Sequence, residues 1–273
     1  RIGIDVSGLF TIGPKRLVFW GSADGFTFHK LHPQPELVSN LPNCFDGGNT
    51  MFWSEAEQQY ALYYRCWSQS GRSVARTTSR DFLRWSPPVV MTCGDRPAEQ
   101  FYVNNTQPYF RAPHLYIAPA ARFMEGRRVI TAEQAAAIGV KAIGSHSYFN
   151  CWVWHNDCSD GVLLTSRAGS TVYDRTFMET FVRPGPGVPN WASRSNYPLT
   201  GIFPCGEDRI MFWVTRQYMQ DSLHIERLLL RTDGFASVNA PWAGGEMITK
   251  LFTFTGKELE INYRTGAPGF VRV

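Results

Sequence analysis

The chain has little charge, no long hydrophobic run and no signal peptide that we can identify. Only 18% of its 273 residues are charged, and the net charge of +4 is evenly spread. So small a positive charge argues against nucleic acid as a partner. No run approaches the roughly 18 apolar residues of a membrane span. We therefore expect neither nucleic acid nor a membrane as a partner. The compartment and the oligomeric state stay open, with a secreted or periplasmic location favoured.

The cysteines show neither a zinc spacing nor the pattern of a disulfide framework. They are Cys44, Cys66, Cys93, Cys151, Cys158 and Cys205, without any C-x-x-C pair. An overlapping group fits no standard set of zinc ligands: His146, Cys151, His155, Asp157, Cys158 and Asp160. We expect buried free thiols, no transition metal and no required cofactor. A structural calcium ion is compatible with the sequence, although no ligand set demands one.

Aromatic residues, glycine and proline are abundant. The chain has 9 Trp, 11 Tyr, 19 Phe, 24 Gly and 17 Pro. Dense Gly and Pro interrupt regular structure, so the strands must be short. This profile is typical of an all-β protein whose exposed rings stack on a flat ligand. The length suits one large domain, or one domain with a fragment of a second.

A short phrase occurs four times: a strand, a turn containing Asp or Gly, then an aromatic or apolar residue. The turns lie at residues 22–28, 79–85, 166–173 and 231–235. Their anchor positions, 24, 81, 169 and 233, are 57, 88 and 64 residues apart. Periods of about 50 to 65 residues, with one gap stretched by an insertion, are typical of the four-stranded blades of a β-propeller.

Alternation of apolar and polar residues predicts the early strands. They are residues 16–20, 27–31, 50–53 and 60–67. In the last of these, Leu62 and Tyr64 should face away from Tyr63 and Arg65.

Two further segments have clear secondary-structure signals. Residues 131–137 predict one short helix with Thr131 as N-cap and Gln134 closing a capping box. Near the C-terminus, residues 248–254 and 258–264 predict two strands. We expect residues 1–246 to form the propeller. Residues 247–273 should supply its last strands or the start of a C-terminal β-sandwich that is truncated here.

Residues 156–180 carry a dense group of candidate acids. Asp157 and Asp160 stand at the start of an apolar strand, and a second strand after a turn carries Asp174, Arg175 and Glu179. Two strand-borne carboxylates beside arginines can do acid/base work on a neutral polar substrate. The alternative is an ordinary β-hairpin with a solvated polar face.

Two other stretches offer candidate residues. Asp46 lies on a glycine-flanked turn before a predicted strand, where it is either a presented acid or the former of an Asx turn. Residues 99–122 interleave amides, arginine and aromatic rings. Asn105, Arg111 and His114 predict a lining for sugar hydroxyls. The alternative is loop packing in which Arg111 binds backbone carbonyls.

Several motifs resemble a known group of enzymes. The S-x-D turns, F-D-G-G-N-T-M-F-W at 45–53 and D-G-V-L-L-T-S-R at 160–167 resemble the five-bladed β-propeller glycosidases of glycoside hydrolase families 32 and 43. Y-F-R-A-P-H, Y-D-R-T-F-M-E and G-K-E-L-E-I-N are more closely similar to uncharacterised bacterial proteins labelled family 32-like. The closer resemblance covers nearly the whole chain and implies a five-bladed propeller.

The resemblance implies three carboxylates around one mouth of a central channel. Asp46 would be the nucleophile or base, Asp160 the carboxylate that orients sugar hydroxyls and tunes its neighbour, and Glu179 the acid. The implied substrate-binding residues are Arg65, Asn105, Arg111, His114, Arg167, Arg175, Asn196 and Arg216. The invertase signatures W-M-N-D-P-N-G, R-D-P and E-C are missing, so Asp157 and Asp174 remain alternatives to Asp160.

Three functions are compatible with this pattern, each with a carbohydrate as partner. The first is a glycoside hydrolase, in which carboxyl groups about 5–5.5 Å apart predict retention and about 6.5–9.5 Å apart inversion. The second is a carbohydrate-binding propeller without catalysis. The third is a glycoside phosphorylase, for which Arg111, His114 and Arg175 could bind phosphate. The sugar and the linkage stay open.

Overall fold

The computed structural model describes residues 2–7, 15–33, 37–140, 156–218 and 220–273, and these are almost entirely β-structure. Sixteen strands form four sheets, each of four antiparallel strands. The helical elements of these residues are α1 (Ala132–Ala137) and one 3-10 turn, Val188–Trp191. Neither is long and apolar enough to cross a membrane. The predicted all-β class is confirmed.

The strands of each sheet come from one continuous stretch of the chain, so each sheet is a local unit. The first sheet contains β1 (Ile2–Ser7), β2 (Lys15–Gly21), β3 (His29–Lys30) and β4 (Leu37–Ser39). The second contains β5 (Thr50–Ser54), β6 (Gln59–Ser68), β7 (Gly71–Ser79) and β8 (Val89–Val90). The third contains β9 (Gln100–Asn104), β10 (Gln107–Tyr109), β11 (Ala112–Met124) and β12 (Cys158–Arg167). The fourth contains β13 (Tyr197–Pro198), β14 (Phe203–Cys205), β15 (Arg209–Arg216) and β16 (His224–Arg231).

The sheets pack face to face in chain order. The second sheet buries Leu62 and Tyr64 against the first, and Tyr63, on the opposite face of β6, against the third. The third sheet packs against the fourth through a cluster that includes Ile117 and Ile210. Successive four-stranded antiparallel sheets packed this way are typical of the blades of a propeller. The alternation predicted for β6 and the propeller class are confirmed, whereas five blades stays a prediction because the described residues form four sheets.

Aspartate turns connect the strands at two of the four repeated phrases. Oδ1 of Asp24 accepts the backbone N–H groups two and three residues further on, both at 2.8 Å. Asp81 accepts the equivalent pair at 2.9 and 2.8 Å. At the other two phrases, Gly169 and Asp233 have φ of 80° and 61°. The predicted repeat therefore reflects real turns that end one strand and begin the next.

The helix begins where its capping residues predict. Thr131 accepts the N–H of Gln134 at 3.2 Å, and the Gln134 side chain accepts the N–H of Thr131 at 2.9 Å. The capping box is thus confirmed. Five cysteines are free thiols, as predicted, while Cys151 lies outside the described residues.

The prediction of strands at 248–254 and 258–264 is wrong. Residues 232–273 contain neither strand nor helix, and large apolar side chains such as Leu251 and Phe254 are exposed. A strand forms only when a neighbouring strand accepts and donates its backbone hydrogen bonds, and none of the described strands pairs with this segment. Alternation of apolar and polar residues shows that a segment favours the β conformation, but it does not show that a partner strand is present. The domain boundary at residue 246 stays a prediction.

Candidate functional site

A sharp turn before β5 presents Asp46 to the end of β6. Phe45, Gly47 and Gly48 all have positive φ, at 64°, 69° and 46°. The turn is fixed to β6 because the N–H of Phe45 donates to the carbonyl of Arg65 at 2.8 Å. Nη2 of Arg65 donates to Oδ2 of Asp46. The Arg65 side chain is 5% exposed and that of Asp46 50%, so Asp46 faces solvent above a buried guanidinium.

Three arginines surround the ring of Tyr102 on β9. The Cζ atoms of Arg65, Arg72 and Arg194 lie 4.5, 5.0 and 5.3 Å from the ring centroid. All three arginines are buried. Burial alone would raise the pKa of Tyr102, but a hydrogen bond from Arg194 and the charges of Arg194 and Arg65 outweigh it and lower the pKa below 10.0. Three guanidinium groups thus surround one phenol.

A buried ion-pair network crosses the third sheet. Arg122 on β11 and Asp160 on β12 are direct cross-strand partners. Nε donates to Oδ1 at 2.9 Å and Nη2 to Oδ2 at 2.6 Å, while Nη1 donates to Oε1 of Glu99 at 2.7 Å. The hydrogen bond to Asp160 raises the pKa of Arg122 despite its burial. The two carboxylates are thus held by one permanently charged guanidinium.

Arg175 extends this network and shapes the loop that follows it. Its Nε donates to Oε2 of Glu99 at 2.8 Å. Its terminal nitrogens donate to the backbone carbonyls of Phe177, Met178 (3.0 Å) and Glu179 (3.4 Å). The Arg175 side chain is fully buried, so the main chain wraps around the guanidinium. Glu179 is exposed and contributes its carbonyl, not its carboxylate, to these bonds.

Asp46 and the loop of Glu179 rest on two groups of contacts that both involve β11. The Asp46 turn lies on Arg65, which stacks on Tyr102. The ring of Phe123, next to Arg122 in β11, packs on Tyr102 with centroids 5.5 Å apart. Asp46 and Arg65 therefore belong to one group of contacts, and Asp160, Arg175 and Glu179 to another, because successive side chains of a strand such as Arg122 and Phe123 point to opposite faces.

A separate cavity of about 940 Å³ contains two other predicted residues, Arg111 and Arg167, in its wall. Arg175 lines it as well, but Asp46, Asp160 and Glu179 do not. In this cavity Asp174 accepts the N–H of Thr176, and Asp233 pairs with Arg111 at 3.3 Å. We place the candidate site at Asp46 and Glu179, because these are the acids that the motif resemblance implies and both are accessible to solvent.

His114 and Asn105, which were also predicted to bind substrate, lie away from Asp46 and Glu179 in the contacts that they make. His114 is exposed, and its carbonyl accepts the N–H of Ala168 at 2.9 Å. Asn105 is buried and donates to the carbonyls of Pro119 and Pro198, which ties the third sheet to the fourth. A side chain occupied in this way serves the fold.

Asn196 and Arg216 also bond within the fold. Asn196 is buried, and its amide donates to the carbonyl of Ser159 at 3.0 Å. Its oxygen accepts from Arg216 at 2.6 Å, and Arg216 in turn pairs with Glu226 at 2.6 Å. Through Asn196, these bonds join β15 of the fourth sheet to β12 of the third sheet.

Among the three alternatives for the third acid, only Asp160 belongs to the network. Asp157 accepts the N–H of Gly126 at 2.8 Å, in an exposed turn. Asp174 pairs with Thr165 across an isolated bridge, and the hydrogen bond to Thr176 lowers the pKa of its carboxyl.

Sequence reasoning missed several members of the site. They are Arg72, Glu99, Tyr102, Arg122 and Arg194. Glu99 could have been found, because it stands directly before the first strand of its sheet, as Asp46 stands shortly before β5. The arginines gave no such signal, since a buried arginine cannot be told from a solvated one without its neighbours.

The described residues contain no group of three or more His, Cys, Asp or Glu side chains that could hold a metal ion. His146, Cys151 and His155, which entered the metal hypothesis, lie outside them.

No family model and no curated protein matches the chain. Among solved structures, an N-acetylgalactosamine deacetylase from F. plautii, in complex with blood group B trisaccharide, superimposes with a TM-score of 0.50 and 11% identity. The match covers 81% of this chain and 66% of the other, so the chain spans just under two thirds of that structure. At this identity the match shows the fold alone.

Two weaker matches are arabinose-processing proteins. An α-L-arabinanase from Penicillium chrysogenum, complexed with arabinobiose, gives a TM-score of 0.44 at 8% identity, over 85% of this chain and 71% of the other. An α-L-arabinofuranosidase from Fusarium graminearum gives 0.40 at 12%, over 85% and 72%. The neighbours are thus carbohydrate-active proteins crystallised with sugars or a sugar-like inhibitor.

Proposed function

We propose that this chain is a glycoside hydrolase that cleaves a glycosidic bond of an oligo- or polysaccharide with Asp46 and Glu179. The observation that carries the proposal is that two solvent-facing carboxylates, those of Asp46 and Glu179, each lie beside a buried arginine. Arg65 supports Asp46, and Arg175 fixes the loop of Glu179. Glycosidic cleavage needs one protonated carboxyl group at the leaving oxygen and one ionised carboxylate on the opposite face of the sugar.

The two acids suit different roles. Asp46 is the nucleophile or base, because the guanidinium of Arg65 lies directly against it and favours a negative charge there. Glu179 is assigned the role of general acid, because its carboxyl group faces solvent, where it can reach a leaving oxygen, while Arg175 binds its carbonyl instead.

Asp160 is a positioning residue in this proposal. Both of its oxygens are occupied by Arg122, and Thr180 also donates to Oδ2. Its contribution is to hold Arg122 and, through Glu99, the guanidinium of Arg175. The hydrogen bonds of Arg122, Glu99 and Arg175 thus fix the position of the loop that carries Glu179.

The test is a glycan panel scored for released reducing sugar. Acetate is scored as well, since one structural neighbour is a deacetylase. Glu179→Gln and Asp46→Asn should each lower kcat by about 10²- to 10⁴-fold. Glu207→Gln removes an exposed acid of the β14–β15 turn and should leave the rate unchanged. Glycan binding without turnover, acetate release without sugar release, or full activity in Glu179→Gln would overturn the proposal.

A further inference from the structure

Arg65, Arg72 and Arg194, here called the arginine cluster, lie around Tyr102, and Arg65 carries donors that no described residue satisfies. Nη2 of Arg65 binds Asp46, but its Nε and Nη1 are buried and have no hydrogen-bond partner among the described residues. The residue is only 5% exposed. Leaving buried charged donors unfilled is costly, so these atoms point to a ligand.

Tyr197 supplies a second unfilled group at the same place. Its hydroxyl is buried and, within the described ranges, has no hydrogen-bond partner. Its ring lies 5.2 Å from that of Tyr102. Burial raises the pKa of its phenol, and the charges of the three arginines oppose that rise. Guanidinium forks together with a phenol form a set of donors, and such a set suits a group rich in acceptor lone pairs.

The carboxylates paired with the arginine cluster neutralise it weakly. Asp46 pairs with Arg65, and Glu125 lies 3.9 Å from Arg72, but their side chains are 50% and 63% exposed. Solvent screens such pairs strongly. The guanidinium of Arg65 therefore keeps a positive potential that favours an anion.

We propose that the arginine cluster binds an oxyanion, namely a carboxylate, sulfate or phosphate group. Arginine suits this task because its planar fork matches two oxygens at once. The anion is either a substituent of the sugar or free phosphate. The proposal rests on the hydrolase proposal only in treating the ligand as part of a sugar, because anion binding can be measured without turnover.

The experiment is calorimetric titration of the full chain, at constant ionic strength, with inorganic phosphate, sulfate, glucuronic acid and, as a neutral control, glucose. Arg65→Gln should weaken anion binding by about tenfold to a hundredfold. Tyr197→Phe covers the case in which Arg65→Gln fails to fold. It removes a hydroxyl that bonds to nothing in the described protein, and it should also weaken binding. Arg209→Gln, at an exposed site on β15, is the charge-matched control and should bind as the native chain does.

The titrations also distinguish the two sources of the anion. Tighter binding of glucuronic acid than of phosphate indicates an acidic sugar. Tighter binding of phosphate, together with phosphate-dependent sugar release, indicates phosphorolysis. In phosphorolysis, a phosphate oxygen forms a bond to the anomeric carbon while the bond from that carbon to the leaving oxygen breaks. Glu179 protonates the leaving oxygen.

The proposal is overturned if no anion binds saturably, or if Arg209→Gln weakens binding as much as Arg65→Gln. Saturable anion binding without any sugar release would reject the hydrolase and leave the anion site standing. Release of sugar from neutral glycans without anion binding would reject the anion site and leave the hydrolase proposal standing.

Discussion

Arg122 and Asp160 are cross-strand partners joined by two parallel hydrogen bonds, Nε to Oδ1 at 2.9 Å and Nη2 to Oδ2 at 2.6 Å. The side chains are 19% and 6% exposed. A pair this buried contributes little net stability compared with apolar residues of the same size, yet each partner depends on the other. Its value lies in fixing the position of the third sheet's charged layer.

Arg122→Met should lower the free energy of unfolding by about 3–5 kcal/mol, because it leaves Asp160 as a buried charge without its partner. Asp160→Asn should cost less, since Arg122 keeps Glu99. The double variant should be more stable than Arg122→Met alone. Urea denaturation of the four proteins gives the coupling energy. Simple additivity of the two single effects would show that the pair is not coupled.

Arg175→Lys should loosen the loop at residues 176–180 and reduce activity while the rest of the fold persists. A lysine has one nitrogen, so it cannot satisfy Glu99 and three backbone carbonyls together. Hydrogen exchange of residues 176–180 is the measurement, with kcat beside it. Arg209→Lys changes an exposed arginine on β15 and is the control. Unchanged exchange in Arg175→Lys would mean that Arg175 does not order the loop.

Gly47 and Gly48 offer a matched pair of substitutions next to Asp46. Both have positive φ, so alanine at either position costs about 1–2 kcal/mol. A Cβ on Gly48 would also lie 3.2 Å from the backbone N of Asn104, whereas one on Gly47 meets nothing closer than 3.9 Å. Gly48→Ala should therefore lower both thermal stability and activity more than Gly47→Ala. Equal losses would show that strain alone governs the turn.

Much of the fold could be predicted because its signals are local. The capping box at Thr131 and the Asp24 and Asp81 turns need only neighbouring residues, and the alternation in β6 needs only one strand. The C-terminal strands failed for the opposite reason, since a strand depends on a partner that its own sequence does not contain. Residues such as Leu251 show the right preference and no neighbour to pair with.

The site could be predicted only in part, because its charged network is non-local. Asp46 and Glu179 were found from motif resemblance, and their roles remain proposals. Glu99 and Arg122 join positions separated in sequence, through contacts that no spacing rule encodes. Arg111 was predicted from a polar stretch of the sequence to bind sugar, but it pairs with Asp233 in the wall of a different cavity.

Asp81 should make stability depend on pH in the acid range. Backbone N–H bonds from Arg84 and Leu83 hold the pKa of its carboxyl well below the ordinary value of 3.8. Because the folded pKa is lowered, the ionised carboxylate stabilises the fold fully above the unfolded pKa of about 3.9, and this contribution is lost as pH falls below it. An asparagine accepts the same turn bonds but does not titrate.

Asp81→Asn should therefore melt below the native chain at pH 7, and the gap should narrow as pH falls from about 4 towards 2. Melting temperatures at pH 7, 4, 3 and 2 provide the test, with Asp208→Asn, another exposed turn acid, as control for the lost charge. Acid unfolding driven by other carboxyl groups lowers both curves equally, so it cannot close the gap. A gap that stays constant from pH 7 to pH 2 would mean that the turn bonds do not favour the ionised form of Asp81.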